Sequence, residues 1–136
     1  PMRFETGAGI VHAEVFEDQV RLTMTTPHDW RLGGELTLDG STYPYDFVNS
    51  GVPHVVVQVP DLAAVDVARL GAAIRHHADF APKGTNANFI QITGPNALAV
   101  RTYERGVEGE TLACGTGIVA AGLLAGKTGR VQAPVQ

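Results

Sequence analysis

Along residues 9–24, "GIVHAEVFEDQVRLTM", Val11, Ala13 and Val15 alternate with His12, Glu14 and Phe16. A period of two predicts half-buried strands, and a tight turn at Glu17-Asp18-Gln19 makes the stretch a pair. Residues 35–51, "ELTLDGSTYPYDFVNSG", read as a hairpin around Asp39-Gly40, a strong turn signal. "PHVVVQV" (53–59) has enough β-branched residues for a central strand. The period then changes. In "DLAAVDVARLGAAIRHH" (61–77), Leu62, Val65, Ala68, Leu70, Ala73 and Ile74 fall roughly on one helical face, and Asp61 is the expected N-cap. "TNANFIQIT" (85–93) and "NALAVRTYERG" (96–106) read as strands joined at Gly94-Pro95. "CGTGIVAAGLLAG" (114–126) reads as a helix with no charged position on any face, so it belongs inside the fold. "RVQAPVQ" is expected to begin another strand.

This order predicts an α+β fold in one domain over 1–136: a curled, mostly antiparallel sheet wrapped on a buried helix, with one amphipathic surface helix. The 136 residues are enough to bury a core without disulfide or metal staples. Composition is that of an ordinary folded chain, 44% hydrophobic and 18% charged. The formal net charge of −4 offers no basic field for nucleic acid or an anionic membrane. No apolar run approaches the roughly 20 residues of a membrane span. The single cysteine, Cys114, excludes an internal disulfide and favours a reducing, cytoplasmic setting. Pro1 is not an initiator residue, which leads us to expect a trimmed chain or one that starts inside a longer one.

The candidate chemistry centres on Cys114. A helix starting there leaves its first amides unpaired, and Gly115, Thr116 and Gly117 let a ligand approach them. Partial positive charge at such a terminus favours a thiolate or a bound carboxylate. Cysteine is also among the most often buried residues, so "ACGTG" alone leaves a structural role equally open. Glu104-Arg105 precede the thiol by a few residues. The arginine suits a carboxylate and the glutamate an ammonium, which together describe an amino-acid cleft; the plainer reading is a surface ion pair beside a turn. His54 opens a strand, where a histidine is more often a structural hydrogen-bonder than a proton shuttle. Asn86 and Asn88 are separated by two and share a strand face, although asparagines at strand starts are commonly turn residues.

Taken together, "NSGVPHVVV", "DVARLGAAIRHH", "KGTNANFIQI" and above all "YERGVEGETLACGTG" resemble the C-terminal half of diaminopimelate epimerase, a pyridoxal-independent amino-acid epimerase. The resemblance runs from about residue 3 to the last residue. It implies two pseudo-symmetric halves, each a barrel-like sheet around a central helix, with the active site between them. Each half supplies one cysteine; one removes the substrate α-proton and the other returns a proton on the opposite face. LL- and meso-diaminopimelate are thereby interconverted, for lysine and peptidoglycan synthesis. By this resemblance Cys114, with His54 and Glu104, is catalytic. Asn86, Glu104, Arg105, Gly115 and Thr116 bind substrate, and neither metal nor cofactor takes part. The implied partners are diaminopimelate, the N-terminal half of the same enzyme and, for the full-length protein, a second copy.

Two departures stand out. Val52 occupies a position that is a substrate-contacting asparagine in some members, and no Cys-Gly-Asn-Gly-type motif of the first half occurs here. Proton transfer on two faces needs an acid on one side and a base on the other, so this chain is expected to be an excised or truncated half-site, inactive alone. The alternatives are a proline or hydroxyproline-type thiol racemase, which shares Cys-Gly-Thr-Gly but not "ERGVEGETLA", and a passive amino-acid-binding module.

Overall fold

The structure, a computed structural model, describes residues 1–7 and 9–136. Strands β1 (Met2–Thr6), β2 (Gly9–Phe16) and β3 (Gln19–Thr23) form an antiparallel three-stranded sheet. β1 was not anticipated from the sequence. The β2–β3 turn is shorter than expected, because Gln19 already pairs with Phe16. The alternation in β2 buries only Ala13. Val15 is 56% exposed and Phe16, on the opposite face, 48%.

A second sheet has the order β4 (His28–Leu38), β5 (Ser41–Asn49), β6 (Pro53–Gln58), β7 (Asn86–Gly94), β8 (Ala97–Glu104) and β9 (Gly109–Thr111). Every neighbouring pair is antiparallel except β6–β7. That parallel pair needs a crossover, which contains helix α1 (Val67–Arg75). The Asp39-Gly40 turn forms as predicted, with φ of 49° and 78°, the left-handed pair that a two-residue hairpin demands. β4 starts at His28 instead of residue 35, because register shifts across Arg31 and Gly34 hide the period-two pattern there. β9 has three residues, too few to show any period.

Helix α1 starts later than the apolar pattern suggests. Its N-cap is Asp66, whose carboxylate accepts from the Arg69 amide. Asp61 instead accepts from Ala63 N–H in a local turn, and the Arg101 guanidinium holds the Leu62 and Val65 carbonyls outside the helix. The buried face is Val67, Leu70, Gly71 and Ile74, spaced three and four apart.

The sheet's two faces follow from the pleat. Phe47, Val55, Val57, Ala87, Phe89 and Tyr103 point towards α1 and form one core cluster with Leu70 and Ile74. Val48, Val56 and Ile90 point the other way, against Ala120, Ala121, Leu124 and Ala125 of helix α2 (Gly115–Lys127). The apolar helix is thus buried along one side only, where its composition predicts burial all round: Ile118 on its outer side is 51% exposed, because the described residues put the sheet against one face and no element against the other. α2 ends in a paired hydrogen-bond pattern, Gly129 N–H to Gly126 O and Arg130 N–H to Ala125 O. The strand expected over 130–136 does not form. Arg130 is tied to Asp46 and Val131 is buried, which bends the chain, and Pro134 has no N–H to donate. Gln136 nevertheless exchanges backbone hydrogen bonds with Asn96 and Leu98. No helix among the described residues is long and apolar enough to cross a membrane.

Candidate active site at the start of helix α2

On the α2 side of the sheet the inward positions change character along the strands. Beneath the body of α2 they are Val48, Val56 and Ile90. Beneath its first turn they are His54, Asn86, Asn88 and Thr102, all buried. The ladder registers place them side by side: His54 opposite Asn86 in the β6–β7 pair, and Asn88 opposite Thr102 in the β7–β8 pair. The i, i+2 spacing of Asn86 and Asn88 does put both on one face, and neither is a turn residue.

His54, Asn88 and Thr102 are linked by hydrogen bonds, whereas the Asn86 side chain bonds to the backbone of Pro53 and Arg105. His54 Nε2 is 2.9 Å from Thr116 Oγ1, and His54 Nδ1 is 2.9 Å from Asn88 Nδ2. Asn88 Nδ2 also donates to the Val55 carbonyl, and Asn88 Oδ1 accepts from Thr102 Oγ1, both at 2.9 Å. Ser50 Oγ donates to the Thr116 carbonyl at 2.7 Å. No buried side-chain polar atom among the described residues is left without a partner. Burial pushes the His54 pKa down from 6.5 to about 4; the hydrogen bond from Asn88 works against this and the Arg105 charge adds to it. The ring is therefore neutral near pH 7.

Cys114 is the N-cap of α2 and is half-buried. Its extended backbone starts the helix, its side chain makes no cap bond, and Ile118 is the first amide to bond back to it. The amides of Gly115, Thr116 and Gly117 therefore have no acceptor within the helix. The sulfur lies 3.6 Å from Thr116 Oγ1. Gly117 is required by closeness: a Cβ there would sit 2.6 Å from Asn88 Oδ1 and 3.2 Å from the sulfur. The expected thiol at a helix N-terminus is thus present, with the buried polar layer directly under it.

Glu104 and Arg105 leave the end of β8 without pairing to each other. Glu104 Oε1 accepts from Thr111 Oγ1 at 2.8 Å, across the β8–β9 pair. The Arg105 amide donates to Asn86 Oδ1 at 2.8 Å, and its guanidinium reaches the Lys83 carbonyl at 3.3 Å. Arg105 makes no ion pair among the described residues, so the surface-pair reading of Glu104-Arg105 does not hold. The turn that carries them is clamped from two sides. Glu108 accepts from Gly106 N–H and Arg75, and these bonds hold its pKa below the usual carboxylate range. Arg101 meets Glu110 through two bonds at 2.6 and 2.8 Å. Asn86 is the hinge between the elements: its Nδ2 donates to the Pro53 carbonyl while its Oδ1 holds Arg105.

Arg105 also lines a groove of about 420 Å³ with Arg31, Asn49, Val52, Pro53 and Lys83. Cys114 does not line that groove. The thiol and the groove flank the start of β6, where Pro53 lines the groove and His54 lies under Thr116. Thr102 and Ser50 belong to the polar layer and were not anticipated. Only the strand register that sets Thr102 opposite Asn88 would have exposed the first.

Comparison with known proteins follows the same segments. The family model for diaminopimelate epimerase matches residues 47–135. The chain is similar to the diaminopimelate epimerase of Aquifex aeolicus, 48% identical over 133 residues, which is 96% of this chain and 47% of the relative. It is equally similar to that of Chlorobaculum tepidum, 48% identical over 130 residues, covering 95% and 49%. The chain spans about half the length of the curated relatives it matches. Among solved structures it resembles a hydroxyproline epimerase from Agrobacterium vitis with bound trans-4-hydroxy-L-proline, at 23% identity and a TM-score of 0.68 over 96% of this chain and 45% of that one. It also resembles a probable proline racemase from Agrobacterium radiobacter K84, at 21% identity and a TM-score of 0.70 over 93% and 44%. At those identities the likeness is one of fold.

Proposed function

This chain belongs to the diaminopimelate epimerase family, and on that premise we propose that it supplies one half-site of a cofactor-independent epimerase acting on the α-carbon of diaminopimelate. The observation that carries this reading is Cys114 at the N-cap of α2, with three uncapped amides beside it and a satisfied polar layer beneath it. The substrate α-carboxylate rests on the amides of Gly115 and Thr116, where the helix dipole favours negative charge. The Cys114 thiolate takes the α-proton on one face, and an acid from the other half of the full-length protein returns a proton on the opposite face. As the proton leaves, negative charge grows on the carboxylate, and the helix amides stabilise it. The same amides make a free thiolate a weaker base, and a bound carboxylate offsets that effect, so substrate itself activates the sulfur.

Glu104 and Arg105 suit the distal ammonium and carboxylate, with Asn86 holding the Arg105 backbone. His54 acts from beneath, through Thr116, because it is fully buried. Val52 lines the groove at the position where the resemblance implies a substrate-contacting asparagine in some members. Proline or hydroxyproline racemisation has the fold likeness and the shared Cys-Gly-Thr-Gly element in its favour, but a substrate with no distal ammonium and carboxylate leaves Glu104-Arg105 without a task.

The test is a chimera in which this chain replaces the matching half of the Aquifex aeolicus relative. In deuterium oxide the chimera should exchange the α-proton of LL-diaminopimelate and form the meso isomer. Cys114→Ser should slow this about a thousandfold, and this chain alone should show no exchange. Turnover by the isolated chain at roughly 1 per second or more, or a fully active Cys114→Ser chimera, would overturn the half-site reading.

A further inference from the structure

Building on the reading of Cys114 as the acid/base, we infer that Asn88 is a positioning residue: it fixes the tautomer of His54 and thereby aims the Thr116 hydroxyl hydrogen at the Cys114 sulfur. The Val55 carbonyl can only accept, and it takes a hydrogen from Asn88 at 2.9 Å. The amide nitrogen of Asn88 therefore faces β6, and the Thr102 hydroxyl donates to the oxygen at the other end. The same nitrogen lies 2.9 Å from His54 Nδ1 and gives it the second hydrogen. Nδ1 must then be the bare nitrogen of the ring.

A neutral imidazole with a bare Nδ1 carries its proton on Nε2. That proton is donated to Thr116 Oγ1, 2.9 Å away. Thr116, already accepting there, keeps its own hydrogen free, and the sulfur at 3.6 Å is the group in reach. Deep burial and the nearby Arg105 charge keep the ring neutral, so the direction holds near pH 7. Gly117 admits the approach, since any side chain there would collide with Asn88 and crowd the sulfur.

The consequence is directional. With Asn88 in place the sulfur meets a hydrogen donor, which favours its ionised form. With the opposite tautomer Nε2 would accept from Thr116, and the sulfur would face oxygen lone pairs. Asn88→Asp should produce that reversal, because a carboxylate oxygen accepts from Nδ1–H, although it also leaves the Val55 carbonyl without its donor.

Two readouts test this on the intact 136-residue chain without substrate, so either can fail while the epimerase reading stands. The first is nitrogen-15 NMR of the His54 ring near neutral pH, assigned by the signals lost in His54→Gln. A proton on Nε2 is expected, and Asn88→Asp should move it to Nδ1. A parent ring protonated on Nδ1, or on both nitrogens, overturns the inference. The second is the iodoacetamide labelling rate of Cys114 at fixed near-neutral pH. Thr116→Val should slow it about tenfold, with Thr116→Ser returning to within about threefold of the parent. A folded Thr116→Val chain labelled at the parent rate overturns it as well. If that variant does not fold, the NMR result on the unmodified chain decides alone.

Discussion

His54 is a titratable residue held well away from water. It is fully buried, and its pKa falls from 6.5 to about 4. Between those values the unfolded chain binds a proton that the folded chain refuses, so folding loses stability as pH falls through this window. The stability is fully present above pH 6.5 and is gone below about pH 4, where both states are protonated. The shift corresponds to on the order of 3 kcal/mol. Urea unfolding at several pH values should show a decline between pH 6.5 and 5, above the range where carboxylates titrate. His54→Gln should be less stable at neutral pH but flat across that interval. A parent chain with constant stability there would show that water or a rearrangement reaches the ring. The sequence allowed a structural histidine at position 54, but not its partners. Thr116 lies 62 positions and Asn88 34 positions away along the chain.

At the scale of the element, helix α1 shows how a local signal is overruled. Asp61 and Asp66 both precede apolar residues and both are good N-caps by type. Only Asp66 caps, because Arg101 from β8 draws off the Leu62 and Val65 carbonyls that a longer helix would need. Asp66→Ala should therefore cost about 1 kcal/mol in chemical unfolding, and Asp61→Ala a few tenths. Equal losses would mean that the helix begins nearer residue 61. Elements with a sustained period were legible: β6, β7, α2 and the hairpin at Asp39-Gly40. Those without one were not: β1 on its own, the irregular start of β4 and the three-residue β9.

For the whole molecule, burial is unevenly shared. The six-stranded sheet has a helix on each face, whereas the sheet of β1–β3 buries only Ala13 among its described strand residues. Phe4, Ile10, Val20 and Leu22 of those strands are each 41–61% exposed. Apolar surface of this kind contributes little to stability and favours association. A chain lacking residues 1–24 should melt within a few degrees of the parent and bind less of a hydrophobic dye. A large drop in melting temperature would show that the small sheet supports the larger one.

The sequence by itself determined the α+β class, the apolar helix after Cys114 and the short motifs that mark the family. These rest on period, composition and contiguous residues, which need no knowledge of distant contacts. It also brought Cys114, Gly115, Thr116, Glu104, Arg105, Asn86 and His54 forward as candidates. The tertiary structure decided their relations: His54 under Thr116, Asn86 holding the Arg105 backbone, and Glu104 bound to Thr111 instead of Arg105. It alone brought Thr102 and Ser50 into the layer, and it alone left the outer face of α2 uncovered. The physical reason is that strand register and the parallel β6–β7 crossover decide which side chains meet. Both are set by the packing of two helices on opposite faces of one sheet, which no window of sequence contains.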